Sequence, residues 1–251
     1  MVKIFTNLDE LKESSEIIIY HHLGLGDHIV CNGLVNYISV QNQIYLPVKE
    51  RNFKAINYLY KENKNINLFK IKNENEDIFN FAKLKKLDIL KIGFDNLQDP
   101  FNVSFYKQLN LDYQISYEYF NLPIENDEER MQYEHLLSLY NTSVKEGYLF
   151  VHNESSEGSY KLKKLSKKKI IYPRKEEDIF QNIFLYRKLI ENAKEIHCVN
   201  SSFLNLIDRL NIKGELFFHD IIKNRTIYLS EKWEKINYGN KYRNFIRGII
   251  R

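Results

Sequence analysis

A buried-strand pattern that runs into a glycine turn constrains the fold of this chain more than any other feature. Ile17–Tyr20 reads as a buried strand, Gly24 and Gly26 form a tight turn, and Asp27 opens an amphipathic helix. Glycine lets the backbone approach a ligand closely and tolerates positive φ. The helix that follows would direct its free N–H groups at a bound group. This pattern is typical of the first βα turn of a nucleotide- or sugar-binding α/β domain.

The spacing of the turn argues against two common cofactor motifs. Gly24-Leu25-Gly26-Asp27 lacks the third glycine of the dinucleotide fingerprint and the Gly-Lys-Ser/Thr of a P-loop. An oxidoreductase or methyltransferase with one continuous sheet is therefore a lower-ranked alternative. That alternative also needs an acid about 20 residues after the turn to hold a ribose. The nearest acid in that region, Glu50, does not end a predicted strand.

Strand and helix signals alternate in two successive blocks, as expected for parallel sheets with crossover helices. The pattern breaks at residues 141–147, so we expect an N-terminal domain of residues 1–145 and a C-terminal domain of residues 146–251. We expect the tail, residues 233–251, to be helical and to pack back across the first half. The expected strands are 17–20, 44–48, 66–71, 88–93, 148–152, 169–172, 195–199 and 216–218; the expected helices are 27–39, 53–61, 79–85, 125–140, 178–192 and 200–210.

Cysteine usage and hydropathy indicate a cytoplasmic protein. The only cysteines, Cys31 and Cys198, cannot form a disulfide framework or a zinc motif by themselves, which fits a reducing compartment. The N-terminus has no signal-peptide core, and no apolar run approaches the roughly 20 residues that span a bilayer.

The protein is only mildly basic, with a net charge of +4, and this charge does not favour a nucleic-acid partner. Six lysines nevertheless crowd into the segment Lys161–Lys169. This segment is either a solvated connector or a contact for phosphate, on a nucleotide or on anionic lipid headgroups. The second interpretation predicts peripheral contact with a membrane.

The two halves of the chain carry matching features. Tyr20 to Asp27 and Val199-Asn200-Ser201-Ser202-Phe203 each follow a buried strand with a turn and a helix start. The pair resembles GT-B glycosyltransferases, most nearly the heptosyltransferase-like group. That resemblance implies an α/β fold of two Rossmann-like halves with a cleft between them. It also implies an acceptor, a glycan or glycolipid, on the N-terminal half and a nucleotide-sugar donor on the C-terminal half.

The resemblance assigns the acceptor side to the first glycine turn. Gly24-Leu25-Gly26-Asp27 looks like the Gly-x-Gly-Asp turn of that group, whose acid is the general base. The alternative for Asp27 is an ordinary helix N-cap. His28 is a second candidate base, because imidazole titrates near neutral pH. The residues expected to contact the acceptor are His21, His22, Gly24 and Gly26.

The donor side is predicted from polar residues that follow strands of the second half. Residues 193–203 resemble the strand and helix start that receive the donor diphosphate, although Asn200 stands where an acid is common. Hydroxyl groups, helix amides and an arginine can all bind phosphate oxygens. A plain loop and a surface arginine are the alternatives. The expected donor-binding residues are His152, Asn153, Arg174, Asn200, Ser201 and Ser202.

No metal-binding motif stands out, because Asp-x-Asp, His-x-x-Glu-His and Cys-x-x-Cys are absent. We therefore expect no resident cofactor, with the nucleotide-sugar acting as a substrate. The predicted reaction is metal-independent and inverting, because a single displacement needs only one base. A non-catalytic α/β protein that holds a ligand at the same turn remains an alternative.

Overall fold

The computed structural model describes residues 2–9, 11, 15–94, 100–222 and 226–239. The chain divides into two compact units: Met1–Pro123 with Thr226–Tyr228, and Ile124–Arg225 with Leu229–Arg251. The division falls earlier than the pattern break at residues 141–147. Glu129, in the helix before that break, binds Arg187 of the second unit, so tertiary contacts place this helix with the residues that follow it.

The first unit is built around a parallel sheet with strand order β1-β5-β2-β3-β4. Its strands are β1 (Ile4–Phe5), β2 (Glu16–Tyr20), β3 (Gln43–Lys49), β4 (Ile66–Ile71) and β5 (Asp88–Lys91). Its helices are α1 (Leu25–Val30), α2 (Asn32–Ser39), α3 (Phe53–Tyr60), α4 (Glu74–Lys85), α5 (Phe101–Gln108) and α6 (Ile115–Glu118), with a 3-10 turn at Glu50–Asn52.

The second unit contains a parallel sheet with strand order β12-β11-β10-β6-β9 and a separate two-stranded hairpin, β7-β8. Its strands are β6 (Tyr148–His152), β7 (Glu154–Ser155), β8 (Gly158–Ser159), β9 (Lys169–Ile171), β10 (Glu195–Cys198), β11 (Glu215–Asp220) and β12 (Trp233–Asn237). Its helices are α7 (Asp127–Leu139), α8 (Arg187–Glu191) and α9 (Ser202–Ile207), with 3-10 turns at Lys175–Glu177 and Ile183–Tyr186.

Both sheets are doubly wound, because the chain reverses its direction of travel across the sheet once in each unit. The reversal lies between β2 and β5 in the first unit and between β6 and β10 in the second. In open α/β sheets, ligands bind beyond the carboxyl ends of strands at such switch points. The expected α/β fold of two Rossmann-like halves is confirmed, and the described strands do not form the single continuous sheet of the oxidoreductase or methyltransferase alternative.

The central strands form the core because their sequences are apolar on both faces. Ile17, Ile18 and Ile19 of β2 are at most 1% exposed, and Leu149 and Phe150 of β6 are fully buried. Continuous apolar runs of this kind are typical of parallel strands covered by helices on both sides. The strand predictions at 66–71 and 148–152 match the observed bounds.

Three helix predictions need correction. The helix predicted at 27–39 is two helices, α1 and α2, which meet at Cys31, where ψ is −2°. The helix predicted at 178–192 begins only at residue 183, where the Asn182 side chain accepts a hydrogen bond from the Phe184 N–H. The predicted helical tail is a strand at Trp233–Asn237, because β12 pairs with β11; residues 240–251 lie outside the described residues.

No helix within the described parts of the chain has both the length and the apolar character needed to cross a membrane.

Candidate functional site

Asp27 lies on the first turn of α1, directly beyond the carboxyl end of β2. Gly24 is the N-cap residue, with extended φ and ψ, so Asp27 is the third residue of the helix. The Asp27 Oδ2 atom accepts a hydrogen bond of 3.2 Å from the Gly24 N–H. A Cβ atom on residue 24 would lie 2.6 Å from this oxygen. The missing Cβ of Gly24 leaves room for the carboxylate in this position, whereas a positive φ is used at neither Gly24 nor Gly26.

His21 and His28 form a buried pair behind this turn. Both rings are fully buried, with centroids 4.7 Å apart in an edge-to-face arrangement. Burial lowers the pKa of His21 to about 4 and holds the pKa of His28 well below its usual value. Neither ring nitrogen of His28 has a hydrogen-bond partner within the described residues. This burial favours Asp27 over His28 as the group that meets a substrate.

His22 connects the two strands that flank the switch point of the first sheet. Its Nε2 atom donates a hydrogen bond of 2.6 Å to the Gly93 carbonyl, just beyond β5. The ring stacks on Phe94 with centroids 4.5 Å apart. Gly93 has a φ of +82° and lies against Phe105, so only glycine suits this position. These contacts give His22 a structural role at the carboxyl edge of the first sheet. Its predicted contact with an acceptor stays a prediction.

A charged group that the sequence analysis missed lies at the same edge. Lys49, the last residue of β3, forms an ion pair with Glu74 at the start of α4. The Tyr20 hydroxyl donates a hydrogen bond of 3.3 Å to the Asn75 side chain. Each of these residues ends a strand or begins a helix. Polar residues at such positions in the sequence are the signal that could have identified them as part of this edge.

The second unit brings His152 and Ser201 together at its switch point. His152 ends β6 and Ser201 follows β10, and their Nδ1 and Oγ atoms are 3.0 Å apart. Ser201 is also the N-cap of α9, because its Oγ atom accepts a hydrogen bond from the Leu204 N–H. Burial, with a smaller effect of the Arg174 charge, lowers the pKa of His152 to about 4. The neutral imidazole has one N–H donor and one acceptor nitrogen, so it can donate to a phosphate oxygen and can either donate to or accept from a hydroxyl group.

Arg174 follows β9, the strand that pairs with β6, and carries an internal acidic partner. The Arg174 Nη1 atom forms an ion pair with the Glu154 carboxylate. The guanidinium also packs over the Tyr172 ring, 4.8 Å from its centroid. The structure thus gathers three of the six predicted donor-side residues, His152, Ser201 and Arg174, together with Glu154, which the sequence analysis did not select.

The other three predicted donor-side residues have different surroundings. The Asn153 side chain donates a hydrogen bond of 2.7 Å to the Tyr160 carbonyl and closes the β7-β8 hairpin. Asn200 and Ser202 flank Ser201 and are partly exposed. Their predicted contacts with a donor stay predictions.

Part of the lysine-rich segment is paired with acids and carbonyls of the second sheet. Lys164 and Lys168 form ion pairs of 3.3 Å with Glu234 and Glu195. The Lys163 side chain donates to the Asn237 carbonyl at 2.8 Å. These contacts show that part of the segment packs against the second sheet and has a structural role.

A buried chain of titratable groups crosses three strands of the second sheet. His197 Nδ1 lies 2.9 Å from His219 Nε2, and His219 Nδ1 lies 2.6 Å from the Tyr238 hydroxyl. Burial is the largest cause of the lowered pKa of both histidines, and that of His219 falls to about 3.

These buried histidines predict acid sensitivity. A histidine with a pKa near 6.5 in the unfolded chain and a lower pKa in the folded chain stabilises the fold above pH 6.5. Stability is then lost as the pH falls from 6.5 toward 4, by about 1–2 kcal/mol for each fully buried histidine between pH 7 and pH 5. We expect a marked fall in Tm between pH 7 and pH 5. His219→Gln should reduce the difference between the Tm values at pH 7 and pH 5, whereas substitution of the exposed His135 by Gln should leave this difference unchanged. An unchanged difference for His219→Gln would contradict the role of His219 in acid sensitivity.

The described residues contain no group of three or more His, Cys, Asp or Glu side chains arranged to hold a metal ion.

Two solved structures are similar to this chain over most of their length. The glycosyl transferase family 9 structure from Veillonella parvula has a TM-score of 0.58 and 9% identity, covering 96% of this chain and 93% of that chain. The E. coli ADP-heptose LPS heptosyltransferase II has a TM-score of 0.53 and 12% identity, covering 90% and 91%. No family model matches the chain, and no curated protein matches it. At these identities the likeness establishes a GT-B-like fold.

Proposed function

We propose that this protein is a glycosyltransferase that moves a sugar from a nucleotide-sugar donor to a hydroxyl group of a glycan or glycolipid. The observation that supports this proposal most is the structural likeness to two glycosyltransferases over at least 90% of the chain. Polar side chains at the switch point of each sheet add a second argument, because such positions bind ligands in this class of fold.

In this proposal the second unit binds the donor diphosphate. Ser201 and His152 contact phosphate oxygens through their hydroxyl and imidazole groups, which already share one hydrogen bond. Arg174 neutralises the charge that develops on the leaving nucleoside diphosphate, as a planar guanidinium suits phosphate oxygens. The protein then needs no metal ion and no resident cofactor, and the nucleotide-sugar is a substrate.

Asp27 of the first unit acts as the general base. It takes the proton of the acceptor hydroxyl as that oxygen forms a bond to the anomeric carbon, while the bond from this carbon to the donor phosphate breaks. Because one displacement occurs, the configuration at the anomeric carbon is inverted. The carboxylate has capacity for this role beside its hydrogen bond from Gly24, because a carboxylate oxygen accepts more than one hydrogen bond.

The proposal also includes a cytoplasmic location and peripheral contact of the Lys161–Lys169 segment with a membrane that carries the acceptor. Lys167 and Lys169 are exposed and support this contact. The pairing of Lys164 and Lys168 with acids reduces the charge that the segment offers to lipid headgroups.

Titration with a panel of nucleoside diphosphates tests the donor site. We expect one of them to bind in the presence of a chelator, and Ser201→Ala to raise its Kd by about tenfold or more, because a hydrogen bond to a charged group contributes about 1.5–3 kcal/mol. Ser201→Thr keeps both the hydroxyl and the helix cap and should bind normally. Ser156→Ala, on the exposed hairpin turn, is the matched control. Strict dependence on Mg²⁺ or Mn²⁺ would contradict the metal-free mechanism.

A further inference from the structure

Arg174 forms an ion pair with Glu154, an acid of the same unit. The side chains of Arg174 and Glu154 are 35% and 44% exposed, so their ion pair is open to solvent. The Arg174 guanidinium also packs over the Tyr172 ring. Arg174 follows β9 and His152 ends β6, and these two strands pair in the second sheet, so both residues lie at the same edge of that sheet. The guanidinium of Arg174 is therefore already paired with a carboxylate.

The backbone that carries Glu154 is fixed, whereas its side chain is not enclosed. Glu154 pairs with Ser159 in the β7-β8 hairpin. Asn153 and Tyr160 close the base of the hairpin with two hydrogen bonds, from the Tyr160 N–H to the Asn153 carbonyl at 2.8 Å and from the Asn153 side chain to the Tyr160 carbonyl at 2.7 Å. Rotation of the Glu154 side chain alone would free Arg174, with no change in the hairpin.

We propose that Glu154 is an internal competitor for the anion site, occupying Arg174 until a diphosphate displaces it. This inference rests on the proposed function, because it assigns a diphosphate to the same site. A diphosphate that uses the Nη1 donor of Arg174 must displace the Glu154 carboxylate, because both anions bind that same N–H group. Glu154 therefore sets the affinity and the charge selectivity of the site.

The selectivity of the site for diphosphates over simple anions follows from the free energy needed to displace Glu154 from Arg174. A singly charged anion gains little from replacing a carboxylate that is already in place. A diphosphate carries more negative charge and more acceptor oxygens, and it also reaches Ser201 and His152. Glu154 thus favours diphosphates over simple anions and keeps abundant monovalent anions from the site.

The test compares Glu154→Gln with the unchanged protein by calorimetric titration, using inorganic pyrophosphate, inorganic phosphate and the nucleoside diphosphate panel. Exposed ion pairs of this kind are modest in strength, so we expect the Kd for pyrophosphate and for the diphosphate to fall about two- to fivefold. Affinity for phosphate should rise by a larger factor, which narrows the selectivity for diphosphates over phosphate. Glu176→Gln removes an exposed acid two residues from Arg174 and should change these values by less than twofold.

A double-mutant cycle separates direct competition from general charge effects. In an Arg174→Gln background, Glu154→Gln should give no tightening, because the group for which Glu154 competes is gone. Equal affinity of Glu154→Gln and the unchanged protein would overturn the inference while leaving the donor site intact. Absence of diphosphate binding to both proteins would overturn the proposed donor site as well. A loss of folding would be seen as a lowered Tm, and tighter binding by Glu154→Gln cannot arise from that cause.

Discussion

Asp27→Asn is expected to lower the turnover of glycosyl transfer by about 10²–10⁴-fold, the usual effect of losing a general base. The substitution removes basicity but keeps a side-chain oxygen that can accept the hydrogen bond of 3.2 Å from the Gly24 N–H. Because this bond between the third residue of the helix and the Gly24 N–H is kept, α1 should stay folded. The donor Kd should barely change, because the proposed donor contacts all lie in the second unit. Steady-state kinetics and titration of the same preparation measure both quantities.

The matched control for this prediction is Asp77→Asn. Asp77 also caps a helix of the first unit, accepting hydrogen bonds from the Lys72 and Asn73 N–H groups at 2.7 and 2.8 Å. Its substitution should leave turnover unchanged. If Asp27→Asn keeps near-full turnover, Asp27 is a helix cap only. If the unchanged protein binds a nucleotide-sugar but transfers no sugar to any acceptor, the non-catalytic alternative is favoured instead.

Glu129→Gln is expected to destabilise the second unit by about 3 kcal/mol, since breaking a buried ion pair leaves an uncompensated charge. The Glu129 side chain is 1% exposed and that of Arg187 is 17% exposed. Glu129 Oε1 accepts hydrogen bonds of 3.0 Å from Arg187 Nε and from the Lys188 N–H, and Oε2 accepts from Arg187 Nη2. One carboxylate thus fixes α7 against the start of α8, and a neutral amide cannot replace these charge-assisted bonds.

Urea unfolding measures this effect directly, because the single tryptophan, Trp233, lies in β12 of the second unit and its fluorescence reports on that unit. The control is Asp127→Asn on the same helix, where the ion pair with Arg130 is mostly exposed. It should shift the midpoint far less. Adding Arg187→Met to Glu129→Gln should recover part of the loss, because the unpaired charge is removed. An unchanged midpoint for Glu129→Gln would show that the pair contributes nothing to stability.

The local pattern of the sequence determined most of the strands and the chemistry of the first turn. Ile17–Ile19 and the run at residues 148–151 are apolar at every position, and such runs are stable only inside a sheet that is covered on both faces. Gly24 and Asp27 were identified from their spacing, although the physical reason differed: the glycine admits the Asp27 carboxylate and does not supply a positive φ. Ser201 was correctly identified as part of a helix start, because a serine that caps a helix acts within a few residues.

Only the tertiary structure decided which of the polar residues meet. His152 and Ser201 are 49 residues apart in the chain, and they touch because β6 and β10 are neighbours at the switch point. Strand order depends on long-range pairing, which no local pattern encodes. For the same reason the sequence did not reveal that Glu154 pairs with Arg174, or that His28 packs behind Asp27, where burial lowers its pKa. Local sequence thus determined the elements and their chemistry, and packing determined which of those groups are accessible, paired or buried.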